Sequence, residues 1–452
     1  MRLDFERVHL VGAGGAGMSA IAKVLAGMGH VVSGSDQRGG STLDRLVDFG
    51  IATHTGHKPD VARAADLVVA SSAVPDADPE LVGAIEAGVP VWRRPELLAA
   101  LTRGIRTIGA TGTHGKTTTT ALLVSALRAL GEDPSFIVGG DLADWNTNGH
   151  YGRTPLLVIE ADEAFRTFEM LSLAGLVVTN VEVEHVEHFG TTADLMDAFV
   201  GVAMGVDGPV AACVDDPGSR EVALRTGAIT YGTGAGADWQ ILDLTTHNGG
   251  TRFDLVGPTA GAHVSLARPG AHVARNAAGA LALLGTMGRD IETAAAGLAT
   301  FRGVGRRWEN RGTVSGVTLV DDYAHHPTEV AATVEVAREL ALGKVWAVFQ
   351  PHLYTRTARF HDEFGVALSI ADEIVVTDVY GSREEPVPGV TGAIVAEAVK
   401  RHGGSAHYVP HRSDLAEFLA GRVSSGDLVL TMGAGDITLV PTELAILLAG
   451  RR

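Results

Sequence analysis

Residues 105–122 bring together the residue types that phosphate transfer requires. They read IRTIGATGTHGKTTTTAL, a short apolar run followed by a glycine loop, one lysine and four threonines. Such a turn holds phosphate well, because backbone N–H groups at a helix N-terminus point at an anion, while a lysine ammonium and a threonine hydroxyl serve terminal phosphates and Mg²⁺. The candidate ATP ligands in this stretch are Gly112, Thr113, His114, Gly115, Lys116, Thr117 and Thr118.

These residues must be positioned by a strand before the loop and a helix after it. A strict P-loop would carry glycine where Ala110 stands, but the pattern still favours nucleoside triphosphate binding. The alternative is a glycine-rich strand-to-helix turn that binds nothing.

A second glycine turn lies near the N-terminus. Residues 8–11 are predicted to form a strand, GAGGAG follows, then a helix, and a second strand from 30 leads to Asp36. In dinucleotide-binding folds such glycines let the backbone approach a diphosphate, and the terminal acid reaches a ribose. An NAD-dependent dehydrogenase and a nucleotide-sugar site are the alternatives, since any diphosphate suits this geometry. The candidate ligands are Gly12, Gly14, Gly15 and Gly17, with Ser72 in a turn after the predicted strand 67–71.

Polar residues also follow two apolar runs at 155–159 and 175–179. Glu160 follows the first run, and Asn180, Glu182 and His185 follow the second. Hard cations prefer carboxylate oxygens, and open α/β sheets bind ligands at the C-terminal ends of their strands. The pattern therefore predicts a Mg²⁺ site near the phosphate loop. The alternative is that these are solvated loop residues.

The element pattern predicts an α/β protein of three domains. We expect a Rossmann-like domain at 1–103, a central P-loop-type domain with a parallel sheet at 104–310, and a second Rossmann-like domain at 311–452. Between 208 and 268, short strands separated by glycine-rich turns indicate a small β sheet, either inserted or extending the main one. The last region alternates strands and helices, as in a parallel sheet covered on both faces.

Polar clusters follow four of the strands predicted in the last region, at 321–329, 350–357, 378–384 and 433–436. His325 and His326 could belong to a metal site, but spacing fixes no third ligand, and we predict a substrate pocket instead. Arg306 and Arg307 precede this region; arginine forks suit phosphates, although paired arginines also solvate linkers.

The whole chain has 452 residues, a net charge of −17 and one cysteine, Cys213. The acidic balance argues against a general nucleic-acid or anionic-membrane binder. One cysteine excludes an internal disulfide framework and a cysteine zinc cluster. We expect a cytoplasmic protein, a monomer or weak homodimer with small-molecule substrates and no nucleic-acid or membrane partner, because we find no signal peptide and no run of about 18 apolar residues.

The order of the motifs resembles the Mur ligases over roughly residues 8–436. The motifs are GAGGAGMS, SGSD, SSAVP, GTHGKTTTT, EADE, TNVEVEH, RRWE, DDYAHHPTE, FQPHLYTRT and TMGAGD. Within that family, GTHGKTTTT, DDYAHHPTE and FQPH are typical of the branch that joins L-alanine to UDP-N-acetylmuramate. The resemblance implies a UDP-sugar domain, a central ATPase and a C-terminal domain that brings the amino acid. It also implies that ATP phosphorylates the lactyl carboxylate, and that the alanine amine then gives an amide, ADP and phosphate.

The resemblance assigns roles to individual residues. Lys116 would steady the β and γ phosphates of ATP, and Arg307 the terminal phosphate. Thr117 and Glu160 would hold one Mg²⁺, and His185 would help to hold a second. The other implied contacts are His272 and Asn276 with adenine, Tyr323, His325 and Arg356 with L-alanine, and Gly12, Gly14, Gly15, Gly17, Ser72 and Asp36 with the UDP moiety. The implied catalytic set is Lys116, Glu160, His185, Arg307, His325 and Arg356.

Two segments depart from the family pattern. After Glu163 the family usually continues with Ser-Asp and a further serine, whereas residues 164–168 read AFRTF. The usual Asp-His-x-Asp is replaced by EHVE at 184–187. No lysine lies between Lys116 and Lys344, so the carbamylated lysine of sister ligases has no candidate. The alternatives are therefore a paralogous ligase for another amino acid or a modified UDP-sugar, and a catalytically weak protein that binds UDP-sugar and ATP.

Overall fold

The computed structural model describes residues 3–182, 189–247, 249–382 and 384–450. The chain divides into two compact units. The first comprises Met1–Ala267 with Ala271–Arg302, and the second comprises Arg268–Gly270 with Gly303–Arg452. Within the described ranges, no helix combines the length and the apolar character needed to cross a bilayer.

The first sheet of the first unit has five parallel strands in the order β3-β2-β1-β4-β5. Its apolar side chains enter two separate core clusters, one containing Leu10 and the other Val68, as expected of a parallel sheet covered on both faces. The strands are β1 Arg7–Val11, β2 Val31–Asp36, β3 Ala52–Thr55, β4 Leu67–Ala70 and β5 Val91–Arg93. The α-helices are Ala16–Gly27, Ser41–Arg45, Pro59–Arg63, Pro79–Glu86 and Arg94–Gly104, and Leu46–Phe49 is a 3₁₀ helix.

The second sheet of this unit has ten strands in the order β15-β14-β13-β12-β11-β10-β6-β9-β7-β8. The strands are β6 Arg106–Thr111, β7 Pro134–Leu142, β8 Thr147–His150, β9 Thr154–Glu160, β10 Gly175–Val178, β11 Val210–Cys213, β12 Ile229–Gly232, β13 Trp239–His247, β14 Gly250–Val256 and β15 Gly261–Leu266. The α-helices are Lys116–Ala129, Thr192–Met204, Pro217–Thr226, Ala271–Thr286 and Ile291–Leu298, and Ala164–Met170 is a 3₁₀ segment.

The short strands predicted between 208 and 268 extend the main sheet. Strands β11 to β13 continue the parallel ladder, and β14 and β15 finish it in antiparallel fashion. The alternative prediction, that these strands form a separate small β sheet, is therefore wrong. Each of these strands is hydrogen-bonded to the strand before it, so they form one continuous sheet.

The hairpin of β7 and β8 is additional to the predicted strands, and it packs on the helix Ala16–Gly27. Asn148 Nδ2 donates to the carbonyl oxygen of Ala16 at 2.7 Å, and Lys23 Nζ donates to Asn148 Oδ1 at 2.8 Å. The side chain of Lys23 is buried, and this desolvation lowers its pKa. The hairpin therefore ties the first sheet to the second within one unit.

The second unit contains a six-stranded sheet in the order β16-β17-β21-β18-β19-β20. All neighbours are parallel except β16 and β17, which form an antiparallel edge that the sequence pattern did not predict. The strands are β16 Glu309–Val314, β17 Val317–Asp322, β18 Val345–Phe349, β19 Glu373–Val376, β20 Ala406–Tyr408 and β21 Leu428–Met432. The α-helices are Pro327–Leu340, Tyr354–Leu368, Gly392–Arg401, Leu415–Ala420 and Val440–Ala449, with 3₁₀ helices at Arg412–Asp414 and Asp436–Leu439.

Candidate functional site

The central glycine turn joins β6 to the helix that starts at Lys116. Gly112 has a φ of +130° and Gly115 a φ of +83°. A Cβ on Gly112 would lie 2.1 Å from Thr179 Oγ1, and one on Gly115 would lie 2.7 Å from Asn276 Oδ1. Both positions therefore require glycine, for the backbone conformation and for the close approach.

The residues after β10 hold this turn in place. The N–H groups of Thr113 and His114 donate to the backbone oxygen and to Oδ1 of Asn180, at 3.1 and 2.8 Å. The Thr179 hydroxyl donates to the carbonyl oxygen of His114 at 2.6 Å. Asn180 therefore fixes the turn, a role that the sequence pattern did not separate from cation binding. The Thr113 hydroxyl also accepts from the N–H of Glu182 at 2.8 Å, so both residues are tied to the segment after β10.

Lys116 lies at the first position of the helix and its ammonium group folds back over the turn. Nζ donates to the carbonyl oxygens of Gly112 at 2.7 Å and Thr113 at 3.2 Å, and it lies 2.8 Å from Glu163 Oε2. The Glu163 side chain is 2% exposed. A buried carboxylate thus holds the lysine where it could contact a terminal phosphate. The sequence pattern identified the lysine but not this partner.

Glu160 ends β9 beside the same helix start. It accepts a hydrogen bond from the N–H of Gly139, and a Cβ on Gly139 would lie 3.0 Å from Glu160 Oε1. Desolvation raises the pKa of Glu160 above its ordinary value, and the charge of Asp162 adds to this. The Gly139 N–H, Lys116 and the Thr117 side chain act in the opposite direction. The carboxylate is therefore held in a site that a cation would stabilise.

The helix Ala271–Thr286 supplies the other side of the turn. Asn276 is 7% exposed and its side chain faces Gly115. His272 lies one turn earlier on the same helix. Arg275 anchors the helix through Asp215, at 2.9 Å between Nε and Oδ2. The predicted adenine ligands and the phosphate turn thus belong to one neighbourhood of the first unit.

The N-terminal glycine turn joins β1 to the helix Ala16–Gly27. Gly12 has a φ of +83°, and its N–H donates to the carbonyl oxygen of Ser35 at 2.9 Å. The N–H of Gly14 donates to Asp36 Oδ2 at 3.0 Å. Asp36 therefore braces the turn itself, and its predicted contact with a nucleoside stays a prediction.

Ser72 follows β4, which pairs with β1 next to the same turn. Its Oγ atom is buried and has no hydrogen-bond partner in residues 3–182, 189–247, 249–382 and 384–450. A buried hydroxyl without a partner is costly. This observation supports the prediction that Ser72 contacts a ligand.

The second unit brings the predicted amino-acid ligands together at the ends of β17 and β18. The rings of Tyr323 and His325 are 5.1 Å apart, and those of His325 and His352 are 6.0 Å apart. Arg356 Nη1 lies 3.3 Å from His352 Nδ1. His352 belongs to one of the predicted polar clusters but was not among the predicted site residues, although it links the predicted members.

Arg307 belongs to the same cluster of the second unit. Its guanidinium lies over the ring of Tyr323, 5.1 Å from the centroid, and Nη1 is 3.5 Å from Glu329 Oε1. Nearby, burial raises the pKa of Asp322 to about 6, and the charge of Arg307 opposes this rise. The cluster therefore combines an arginine, imidazoles and carboxyl groups, as recognition of an amino acid requires.

Three family models match the chain in sequence order. They are the Mur ligase family catalytic domain at residues 7–106, the Mur ligase middle domain at 110–284 and the Mur ligase glutamate ligase domain at 306–435. The chain belongs to the Mur ligase family. The UDP-N-acetylmuramate–L-alanine ligase of Kineococcus radiotolerans is 46% identical to it over 457 residues, which cover 98% of this chain and 97% of that one. The protein of the same name from Acidothermus cellulolyticus is 44% identical over 445 residues, covering 96% and 93%.

Solved structures agree with this membership. The crystal structure of the UDP-N-acetylmuramate-alanine ligase MurC from Thermotoga maritima matches with a TM-score of 0.85 at 28% identity and covers 99% of this chain and 100% of that one. MurF ligase from Thermotoga maritima in complex with ADP matches with a TM-score of 0.64 at 20% identity, covering 93% and 96%. The second match shows the shared fold. The three-domain α/β architecture expected from the motifs is therefore that of the Mur ligases.

Membership of the Mur ligase family implies a Mg²⁺ site, and the residues beside the phosphate turn are suitable ligands for this cation. Glu160 and Thr117 are oxygen donors, and the charge balance at Glu160 favours a cation. Hard oxygen donors are what Mg²⁺ prefers. His185, the third predicted ligand, lies outside the described residues.

The segment that departs from the Mur ligase pattern has an unusual backbone. Phe165 and Arg166 have φ values of +55° and +54°. Arg166 pairs with Glu169 at 2.8 Å and lies over the ring of Phe189, and these residues line a groove of about 740 Å³. Phe168 is fully buried against Phe199. The changed residues therefore build a local packing of their own directly after Glu163.

Proposed function

We propose that this Mur ligase joins L-alanine to the lactyl carboxylate of UDP-N-acetylmuramate at the expense of ATP, in peptidoglycan precursor synthesis. The observation that carries the proposal is the phosphate turn with Lys116 held by Glu163, beside Glu160 and Thr117. The full-length relatives that carry this activity in their names support the choice of substrates.

The reaction has two steps because a carboxylate is a poor acyl donor. In the first step a carboxylate oxygen attacks the γ-phosphorus of ATP and ADP leaves. In the second the alanine nitrogen attacks the acyl carbon, phosphate leaves, and the nitrogen loses a proton. Splitting the reaction replaces an oxide leaving group by phosphate.

The residues of the first unit would act on the first step. Lys116 would steady the β and γ phosphates, since its ammonium group already lies within the turn, with Gly112, Thr113, His114, Gly115 and Thr118 around them. Glu160 and Thr117 would hold Mg²⁺, which when bound neutralises charge on the phosphates. His272 and Asn276 would contact adenine. Gly12, Gly14, Gly15, Gly17, Ser72 and Asp36 would hold the UDP moiety.

The residues of the second unit would act on the second step. Arg356 would pair with the alanine carboxylate, because a planar guanidinium binds a carboxylate through two hydrogen bonds. Tyr323 and His325 would shape the pocket, and Arg307 would meet the transferred phosphate. We also propose a cytoplasmic location, since ATP and a UDP-sugar are the substrates, and a monomer or weak homodimer.

The second candidate is a paralogous ligase with another amino acid or a modified UDP-sugar. The positive φ values of Phe165 and Arg166 favour it, because a new packing follows Glu163 where the family usually has polar residues. This difference concerns specificity, since Lys116, Glu160 and Glu163 are all in place.

Phosphate release by the purified protein tests these alternatives. The assay contains ATP, Mg²⁺ and UDP-N-acetylmuramate with each common amino acid in turn. Release with L-alanine well above the others supports the first proposal, and preference for another amino acid supports the second. Lys116→Ala should lower release by about a hundredfold or more, whereas Lys344→Ala, a matched control at an exposed ion pair with Glu373, should leave it unchanged. No release with any amino acid, with UDP-sugar binding retained, would contradict the first proposal and would favour a modified UDP-sugar as the substrate or a protein that binds UDP-sugar and ATP without joining an amino acid.

A further inference from the structure

Three side chains that belong to none of the predicted sites converge inside the first sheet. His9 lies on β1, His54 on β3, and Glu80 in the first turn of the helix Pro79–Glu86. His9 and Glu80 are 0% exposed, and the His54 side chain is 9% exposed. Their ligating atoms all lie within 4.8 Å of one another. The cluster combines two imidazoles and one carboxylate, which is a metal-ligand set.

The parallel register of the sheet brings the imidazoles to one face. His9 is paired with Ser33 across β1 and β2, and His54 is paired with Ser35 across β2 and β3. His9 Nδ1 lies 2.8 Å from Ser33 Oγ. When Nδ1 carries the proton and donates it to this hydroxyl, Nε2 carries the lone pair. A second hydrogen bond of this kind is what orients histidine ligands in metal sites.

His9 Nε2 is directed at the Glu80 carboxylate, 3.6 Å from Oε2, which is beyond hydrogen-bond distance. In the part of the chain that the structure describes, this buried nitrogen has no hydrogen-bond partner. Buried polar atoms without partners are rare in native proteins, and each calls for an explanation such as an ion or a water. The orphaned nitrogen is therefore independent evidence for a ligand at this point.

Glu80 is fixed by groups on every side. Oε1 accepts from Lys58 N and lies 2.8 Å from His54 Nε2, and the Ser35 hydroxyl donates to Oε2. Both oxygens of the carboxylate are therefore held in position, as those of a metal ligand need to be.

The local charge also fits a divalent cation. Asp78 is 7% exposed, accepts from the N–H of Glu80 at 2.9 Å, and lies 3.3 Å from His57 Nδ1. Two buried carboxyl groups, those of Asp78 and Glu80, therefore share one small volume with the imidazoles of His9, His54 and His57. A divalent ion would balance both charges, which a buried pair of carboxylates needs.

We propose that His9 Nε2, His54 Nε2 and the Glu80 carboxylate bind a divalent transition metal of the zinc type. The Oε2–Nε2 and Oε1–Nε2 distances of 3.6 and 2.8 Å bracket the roughly 3.4 Å between donors around a tetrahedral ion with bonds of about 2.1 Å. Binding requires the tautomer of His54 that carries its hydrogen on Nδ1, so that Nε2 presents its lone pair to the metal. The site is structural, and it pins β1, β3 and the helix Pro79–Glu86 together.

Metal titration of the full-length, untagged, chelator-treated protein tests this site. Excess Mg²⁺ occupies oxygen-only sites, and Zn²⁺ or Co²⁺ serves as the probe. The wild type should bind about one more equivalent of Zn²⁺ than His54→Gln or His9→Gln, and the Co²⁺ complex should show the visible absorption of a low-coordinate nitrogen-oxygen site. His263→Gln, a control on exposed β15 beside Asp254, should keep the wild-type stoichiometry.

The proposal is overturned if the wild type and His54→Gln bind equal Zn²⁺ while both remain folded by circular dichroism. His54 is at the edge of the cluster, so its variant decides the matter even if His9→Gln fails to fold. A Zn²⁺-dependent rise in unfolding temperature in the wild type, absent in His54→Gln, gives a second readout. Phosphate release is measured separately, so failure of this site and failure of the proposed ligase activity are distinguishable.

Discussion

The two glycine turns of the first unit share a backbone plan but differ in their charged partners. Each follows a parallel strand, contains glycine at positive φ and opens a helix. In the central turn the helix begins with Lys116, whose ammonium is paired with Glu163. In the N-terminal turn the helix begins with Ala16, and the carboxylate of Asp36 accepts from the Gly14 N–H.

A glycine pattern therefore fixes the path of the backbone, whereas the charged side chains decide which phosphate fits. A lysine held over the turn suits the dense charge of a triphosphate. A turn braced by an acid, with no basic residue in the first helical turn AGMS, suits the lower charge of a diphosphate at the helix N-terminus.

Gly112→Ala, in the central turn, should have the largest effect on phosphate release. The new Cβ would lie 2.1 Å from Thr179 Oγ1 at a φ of +130°, so the turn must move away from the phosphate. We expect phosphate release to fall by about a hundredfold or more, because catalytic positioning is sensitive to shifts of about 1 Å. UDP-sugar affinity, measured by calorimetry, should stay unchanged.

Gly131→Ala is the matched control for that variant. Gly131 has a φ of +79° with nothing within 4 Å of a new Cβ, so only the backbone strain of about 1–2 kcal/mol is added. If both variants lose activity equally, the close approach at Gly112 is not the cause.

Gly12→Ala should disturb the other turn and leave the central one intact. Its Cβ would lie 2.9 Å from the Cβ of Ser71 at a φ of +83°. We expect the KM for the UDP-sugar to rise about tenfold, the equivalent of about 1.4 kcal/mol, with the KM for ATP unchanged. An equal rise in both KM values would mean that the turns are not independent sites.

Asp36→Ala should have a smaller effect, because it removes one hydrogen bond from the Gly14 N–H. A net hydrogen bond contributes about 1 kcal/mol, so the KM for the UDP-sugar should rise about fivefold. Asp36→Asn keeps an acceptor and should restore most of the affinity. If Asp36→Asn is as weak as Asp36→Ala, the carboxylate charge and not the brace is responsible.

The apparent Mg²⁺ affinity at the central turn should depend on pH, whereas UDP-sugar binding at the N-terminal turn should not. Glu160 has a raised pKa, so its protonated form, which does not bind a cation, accumulates as the pH falls through mildly acid values. We expect the apparent Mg²⁺ affinity in phosphate release to fall as the pH is lowered, with the fall beginning at a higher pH than for an unperturbed glutamate. Glu160→Gln should start with weak affinity and lack this step, and UDP-sugar binding by the wild type should lack it too.

The sequence pattern predicted both turns because glycine, lysine and apolar runs act over a few neighbouring residues. It could not predict that Glu163 holds Lys116, because that contact depends on the pairing of β6 and β9. Nor could it predict that Gly139 makes room for Glu160, because that contact depends on the pairing of β7 and β9. The hairpin of β7 and β8 was missed for a related reason. Its register is irregular and its residues are glycine-rich, so it lacks the regular alternation of a strand.

In the second unit the polar clusters after the strands predicted a substrate pocket, because strand ends of a parallel sheet meet at one edge. The resemblance to the Mur ligases singled out Tyr323, His325 and Arg356 as its residues. His352 was not selected, since its link to both His325 and Arg356 appears only once β17 and β18 are positioned around β21. The antiparallel β16 was also missed, because its exposed and mostly polar sequence gives no strand pattern.

The hairpin that covers the helix Ala16–Gly27 has a consequence for how the chain is made. During synthesis the first sheet leaves the ribosome well before residues 147–150 exist. Until then Lys23 and the carbonyl of Ala16 lack their hydrogen bonds with Asn148. N-terminal domains generally fold as they emerge, but here we expect the first helix to stay exposed to solvent and to chaperones until the hairpin arrives.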